Sequence, residues 1–320
     1  MAEKLGSNIS KTSAYRLVKE LVQKQRIELK GAGRNSVYSL SDYGRLFGRF
    51  DVESYFENEN RKVLNTFNFR IFELLEQNQV FRDEEIRKLY DREREFELRM
   101  KSLPKIARQK EMERLVIDLS WKSSQIEGNT YSLLETEALL KDAREAKGKS
   151  KTEALMILNH KKALSYILEN PDFFDKLTVS KIEDIHYLLT KNMGVTRNVR
   201  SFRVGITGTS YTPLDNSFQI SEALEQTCRL INDKKNILEK AFLALVLISY
   251  IQPFEDGNKR TSRIISNAVL LANSYCPISF RTVEPIDYRY ATLLFYEQNN
   301  LSELKQMFIE QFEFSTSNYF

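Results

Sequence analysis

Glycine and proline are scarce in this chain: 11 and 6 among 320 residues. Average usage of about 7% and 5% would give roughly 22 and 16. A sandwich, barrel or solenoid of many tight turns is therefore excluded, and long helices are expected. Histidine is rarer still, with only His160 and His186, which leaves little room for histidine-rich metal chemistry. Two cysteines, Cys228 and Cys276, form no CxxC or zinc spacing and are expected as reduced thiols of a cytoplasmic protein. The longest apolar run, Ala241 to Ile248, is too short for a bilayer span, and the N-terminus shows no apolar signal segment, so no membrane partner is expected.

The charge is small, +4, and unevenly spread. Residues 1–50 hold ten basic side chains against four acidic ones, a net +6, which leaves −2 for the other 270. Such asymmetry is the footprint of a nucleic-acid-binding module. Ser10 or Thr12 can cap a helix whose apolar positions Ala14, Leu17, Val18, Leu21 and Val22 recur at helical spacing. Ile27–Lys30 and Ser36–Leu40 alternate as two short strands around Gly31-Ala32-Gly33-Arg34-Asn35. "SKTSAYRLVKELVQKQRIELKGAGRNSVYSLS" resembles a winged helix-turn-helix that lacks its usual first helix. The resemblance implies Thr12, Ser13, Tyr15, Arg16 and Lys19 as DNA readers, with Arg34 on phosphate. A module used only for protein contacts is the alternative.

Residues 51–145 read as helical, with "RDEEIRKLYDREREFELRMK" a solvated face and Pro104 a break. A helix over 106–129 then ends at Glu127-Gly128-Asn129, where Gly128 suits the position after a helix. From Asn236 a helix apolar on nearly every side leads into Gln252-Pro253-Phe254-Glu255-Asp256-Gly257-Asn258-Lys259-Arg260, and a second apolar helix follows. A glycine loop feeding a helix N-terminus suits an anion; Lys259, Arg260 and Arg263 add cations, and Asp256 adds a hard oxygen for Mg²⁺. The residues alone read as a phosphate or nucleotide site, with a capped helix–helix turn as the alternative.

"QPFEDGNKRTSR" resembles the Fic signature, His-Pro-Phe-x-Asp/Asn-Gly-Asn-Gly-Arg-x-x-Arg. "SSQIEGN" (123–129) is similar to that family's inhibitory helix motif, and "GVTRNVRSFRVGITGTSYTP" (194–213) to its flap. The resemblance implies a mainly α fold: a Fic-type helical bundle over 146–310 with a small β-hairpin flap, preceded by a winged-helix (α+β) module over 1–50 and the helical stretch 51–145, and followed by a tail, 311–320. It further implies protein adenylyltransferase (AMPylation) chemistry, in which AMP passes from ATP to a hydroxyl of a target protein. Asp256 would hold Mg²⁺, and Gly257 and Asn258 would form the anion nest. Lys259, Arg260 and Arg263 would grip the phosphates, and Tyr290 would border the adenine. Ser123 and Glu127 would belong to the autoinhibitory element, Glu127 pairing with Arg263. Val204, Gly205, Ile206, Thr207 and Gly208 would dock an unknown target protein, and association into homo-oligomers is common in the family.

Two positions depart from the pattern. Gln252 stands where the family has the histidine that takes the hydroxyl proton, so activity is expected to be weak, altered or lost; general base catalysis is worth about 10²–10⁴-fold. Lys259 stands where it has glycine, as in the Doc branch, whose members phosphorylate. The alternatives are thus a nucleotide-sensing pseudoenzyme acting as a DNA-binding transcriptional regulator, a Doc-like protein kinase, or a de-AMPylase in which Glu127 positions water.

Overall fold

A computed structural model describes residues 10–31, 33 and 36–320. Among them lie fourteen α-helices and one two-stranded antiparallel sheet. The chain is mainly α, as its shortage of glycine and proline requires. The order is α1 (Lys11–Gln23), β1 (Ile27–Lys30), β2 (Val37–Leu40), α2 (Asp42–Phe47), α3 (Val52–Glu57), α4 (Arg70–Gln77), α5 (Asp83–Ser102), α6 (Lys105–Ile126) and α7 (Leu133–Asp142). It continues with α8 (Lys151–Glu169), α9 (Val179–Thr190), α10 (Ser217–Asp233), α11 (Ile237–Ile251), α12 (Asn258–Ala272), α13 (Pro285–Gln298) and α14 (Ser302–Asn318).

Local chemistry sets the helix ends. Ser10, Ser132, Ser150 and Asn236 each accept a hydrogen bond from a first-turn N–H, and Glu135 and Glu153 complete capping boxes. Pro104 separates α5 from α6. α11 is the centre of the core: every residue from Ala241 to Ile251 is buried, and it packs against α10, α12, α13 and α14. Each large apolar side chain so buried is worth roughly 1.5–3 kcal/mol over leaving it in water.

At the amino end, Ala14 and Val18 turn α1 toward β1, and the hairpin pairs Ile27 with Leu40 through Lys30 with Val37. α2 then drives Leu46 and Phe47 into the same core that holds α11. Asn300 secures it, donating to the Arg45 and Gly48 carbonyls at 2.8 and 3.0 Å. Arg34, expected at the wing tip, lies outside the described residues.

Two expectations change. The flap holds no hairpin of its own: 204–211 is irregular, and its end joins the segment before α4, with Thr212 donating to the Asn65 carbonyl at 2.9 Å and Thr66 bridging Thr212. Arg61, held on the buried carboxylate of Glu297 at 2.8 Å, also donates to the Gly208 carbonyl, so the flap takes its partners from elsewhere in the chain. The stretch 311–320 is no tail. It is the last part of α14 and its end, with Phe312 and Ser315 buried and the Tyr319 hydroxyl donating to Asp118 at 2.5 Å.

Within this core Glu93 of α5 is 9% exposed and accepts from the Cys276 N–H at 3.2 Å. Burial pushes its carboxyl up to about 7, the Cys276 hydrogen bond opposing and nearby Glu97 adding to the rise. A carboxyl raised in the folded state binds more protons there than in the unfolded chain. Its contribution is therefore complete below the ordinary carboxylate range and is lost as pH rises through 7. Glu93→Gln is expected to stabilise the fold by about 1–3 kcal/mol at pH 8 and by nearly nothing at pH 4. Urea unfolding at the two pH values checks this, and equal effects at both would contradict it.

Candidate active site

α11 stops at Gln252, which takes a left-handed conformation (φ 52°) and donates its N–H to the Ile248 carbonyl. Such a conformation is uncommon for a residue with a side chain and has to be held by its surroundings. Three bonds hold it. The Gln252 amide nitrogen donates to the Ser249 carbonyl (2.6 Å) and to the Tyr296 hydroxyl (3.1 Å), while its oxygen accepts from Asn258 (3.1 Å).

The loop is closed from within. Asn258 accepts from the Phe254 N–H and donates to the Phe254 carbonyl, both at 2.8 Å. Phe254 is fully buried, and its ring lies flat on His186, with centroids 3.7 Å apart. Gly257 (φ 77°) turns the chain into α12; a Cβ there would come within 3.0 Å of the Thr190 side chain and 3.4 Å of Arg260. The first N–H groups of α12 are thereby left at the mouth of the loop, where they favour an anion.

A cavity of about 660 Å³ opens there. Gln252, Asp256, Gly257, Asn258 and Lys259 form one wall; Val204, Gly205, Ile206 and Thr207 of the flap form another. The end of α6 with Glu127 and the Tyr288, Thr292 and Tyr296 face of α13 complete it. Segments expected to work together from the sequence therefore meet, although more than a hundred positions separate Glu127 from Lys259.

Glu127 is the junction. Its carboxylate meets Arg263 at 2.8 Å and Lys259 at 3.0 Å, one oxygen to each. Desolvation alone would raise its pKa, but these two cations hold it down at about 2. Arg263 is fully buried; besides Glu127 it donates to the Ser123 hydroxyl (2.8 Å) and carbonyl (2.9 Å), and its ring neighbour is Tyr288. The third guanidinium nitrogen, Nη1, has no partner among the described residues. Arg260, also buried, is held by Asp256 at 2.9 Å. Both arginines stand behind the cavity wall, each engaged by a carboxylate where an incoming anion would compete.

Both histidines are fully buried, and each also holds a specific hydrogen bond. His160 accepts from or donates to the Ser123 hydroxyl at 2.9 Å, and its other nitrogen reaches the Met156 carbonyl. Burial, then the Arg260 and Arg263 charges, lowers its pKa to about 3. It is therefore neutral: Nδ1–H donates to Met156, leaving Nε2 to accept from Ser123. His186, lowered to about 4 by burial, donates to the Asp256 carbonyl at 3.0 Å and braces the loop. Arg200 gave no signal in the sequence, yet it is buried and donates to the Gln252 and Leu214 carbonyls at 2.7 and 2.5 Å, tying the loop to the flap. Tyr290 has to be corrected. It points away from the cavity and stacks on Phe56 at 4.7 Å, because the cavity face of α13 is the 288/292/296 stripe and residue 290 lies about 200° around the helix from 288.

Among the described residues no three histidine, cysteine, aspartate or glutamate side chains converge to hold a metal unaided. Asp256, with its side chain 65% exposed, offers one carboxylate at the cavity. That donor set fits Mg²⁺ carried on phosphate oxygens and water, which needs only one or two protein carboxylates.

A glycine loop at a helix N-terminus, backed by two buried arginines and faced by the flap, makes a helix–loop–helix site suited to an anion. Residues 176–270 match the Fic/DOC family model, and that stretch is a Fic/DOC domain. Protein adenylyltransferase Fic of Nematostella vectensis is 30% identical over 176 residues, covering 52% of this chain and 40% of that protein. Protein adenylyltransferase fic-1 of Caenorhabditis elegans is 26% identical over 175 residues, 52% and 34% of the two chains. The match thus spans two fifths or less of these curated relatives. In fold, the chain is similar to a solved segment of Fic-1 from C. elegans (TM-score 0.64, 22% identity, 74% of this chain and 71% of that one). A Fic family protein from Desulfovibrio desulfuricans gives TM-score 0.60 at 18% identity over 74% of each chain.

Removing one partner of a buried ion pair strands the other charge. Glu127→Gln is expected to cost about 3–5 kcal/mol in urea unfolding at pH 7. The difference from the parent chain should shrink as pH falls from the ordinary carboxylate range through about 2, where Glu127 itself protonates. A loss below about 1 kcal/mol at pH 7 would show that Arg263 does not depend on this carboxylate.

Proposed function

We propose that this protein is an ATP-binding Fic protein of the protein adenylyltransferase type, held in a closed state by Glu127 and left with little transfer activity by Gln252. The observation that carries the reading is the double engagement of Glu127 by Arg263 and Lys259 at the mouth of the anion loop. Arg263, Lys259 and the α12 N-terminus offer the charge that triphosphate requires, and Glu127 fills that place with a carboxylate of the chain's own. Bound ATP would supply the AMP group, with Mg²⁺ on its phosphates held through Asp256. The free edge of the flap speaks for a target segment: among the described residues, Val204, Gly205 and Ile206 make no main-chain hydrogen bond, so an extended peptide can pair there.

Gln252 decides how far the chemistry runs. Transfer to a hydroxyl needs a group that removes its proton. An amide is not basic near neutral pH, and both of its N–H groups are spent on Ser249 and Tyr296, its oxygen on Asn258. Its work is to hold the loop in its left-handed turn. Lys259 ties its ammonium to Glu127, which adds to the closed state whatever group is transferred.

The test uses ATP labelled at the α or the γ phosphate, with the parent chain, Gln252→His, and Gln252→His combined with Glu127→Gly. The parent is expected to transfer little, and the double variant to transfer α label about 10²–10⁴-fold faster. Failure of both variants at both positions overturns the transferase reading. Absence of ATP binding to Glu127→Gly in calorimetry overturns the nucleotide reading as well.

A second reading rests on α1. Thr12, Ser13, Arg16 and Lys19 are exposed there, on the side of the helix away from buried Ala14 and Val18, and Arg16 and Lys19 make no ion pair among the described residues. We infer that this face contacts DNA and that the module couples nucleotide state to transcription. Each of Arg16→Ala, Lys19→Ala and Arg34→Ala is expected to lower the salt slope of duplex binding by about 1 in fluorescence anisotropy. No binding by the parent at low salt would leave α1 as a protein-contact surface.

A further inference from the structure

A second cavity, about 1100 Å³ and larger than the first, lies where α3, α13 and α14 converge. It uses the face of α13 opposite the ATP-directed stripe. Its rim is acidic: Glu53 and Glu57 from α3, Asp287 from α13, and Glu303 and Glu310 from α14. None of these five carboxylates has a cation within 4 Å among the described residues. The one arginine in the wall, Arg92, is paired with Glu95 at 3.0 Å, and Glu313 is paired with Lys88. Five carboxylates gathered without counter-charge give the groove a negative field that suits a cationic partner.

The floor is apolar. The stacked rings of Phe56 and Tyr290 lie there with Met307 and Phe314. Gln311 adds an independent sign. It is 4% exposed, lines this cavity, donates its amide N–H to Thr282 at 2.7 Å, and leaves its carbonyl oxygen without a partner. A buried acceptor without a donor costs about 1–3 kcal/mol. An acceptor at the floor and carboxylates at the rim both call for N–H donors.

We propose that this groove binds a cationic amphipathic peptide segment of a partner protein. Lysine or arginine heads meet the carboxylate rim, aliphatic side chains cover the Phe56–Tyr290 floor, and one donor reaches the Gln311 oxygen. Nucleic acid is repelled by the rim. A small polyamine satisfies the rim and leaves the aromatic floor uncovered, and the volume is at the upper end of what small ligands fill. The site is separate from the proposed ATP cavity and does not depend on that reading.

The experiment measures anisotropy of a short fluorescein-labelled amphipathic Lys/Leu peptide on the full chain. Binding is expected to weaken at least tenfold in Glu303→Lys/Glu310→Lys and about threefold or more in Gln311→Leu. The equal charge change Glu222→Lys/Glu225→Lys on α10, which contributes nothing to the groove, is expected to have little effect. Thermal melts establish that each variant folds. Equal weakening by the α10 pair would reduce the effect to overall charge and overturn the proposal. Spermine competing as well as the peptide would overturn the peptide assignment, and so would concentration-dependent self-association lost on the α14 swap, which would give the groove to a second copy. Loss of peptide binding on the α14 swap alone, with spermine a poor competitor, supports it.

Discussion

A buried guanidinium needs an anion, and Arg263 is fully buried in the middle of the protein. That requirement organises the surroundings of the anion loop. The carboxylate comes from Glu127, delivered by the end of α6, and Gly128 in its left-handed turn (φ 92°) stops the helix just beyond it. Ser123, one turn back, accepts from Arg263 on one side and donates to neutral His160 on the other, so α6, α8 and α12 are joined through a single hydroxyl. Lys259 lies four residues before Arg263 on the same face of α12, which is why one carboxylate meets both. An anion entering the loop has to offer these cations at least what Glu127 already gives.

The other fixed point is the turn between α11 and α12. Gln252 and Gly257 both take left-handed conformations, and Asn258 ties the residues between them. Every polar group of the Gln252 amide is used in holding this shape. The position that the family resemblance reserves for a proton acceptor is here a structural brace, and the same bonds that keep the loop in order keep the amide from approaching a substrate freely. Arg200 extends the brace from the Gln252 carbonyl to that of Leu214 at the end of the flap.

Much of this was legible in the sequence because it is local. The Ser10 cap, Pro104, Gly128, the Asn236 start of the central helix and the hairpin over 27–40 each rest on a few neighbouring residues, and they stand where the spacing put them. The meeting of Glu127 with Arg263 was implied by the family pattern. The bonds of Arg200 to Gln252, His160 to Ser123 and His186 to Asp256 were not legible: these partners lie tens of positions away, and a lone arginine or histidine carries no mark of which carbonyl or hydroxyl it will reach. The flap was expected as a hairpin because the stretch resembles the family's flap, yet its edges found the 61–66 segment instead. Tyr290 failed for a simpler reason, a rotation of two positions around α13.

The sequence by itself determined the helical architecture, the helix ends, the anion loop and the substitution at Gln252, since each depends on residue type and short-range spacing. Tertiary structure alone decided that Glu127 carries two cations, that Gln252 has no polar group to spare, and that α13 divides its faces between the anion-loop cavity and an acidic groove. Those outcomes depend on which distant side chains share a small volume, and on the burial that makes each unpaired charge too costly to leave alone.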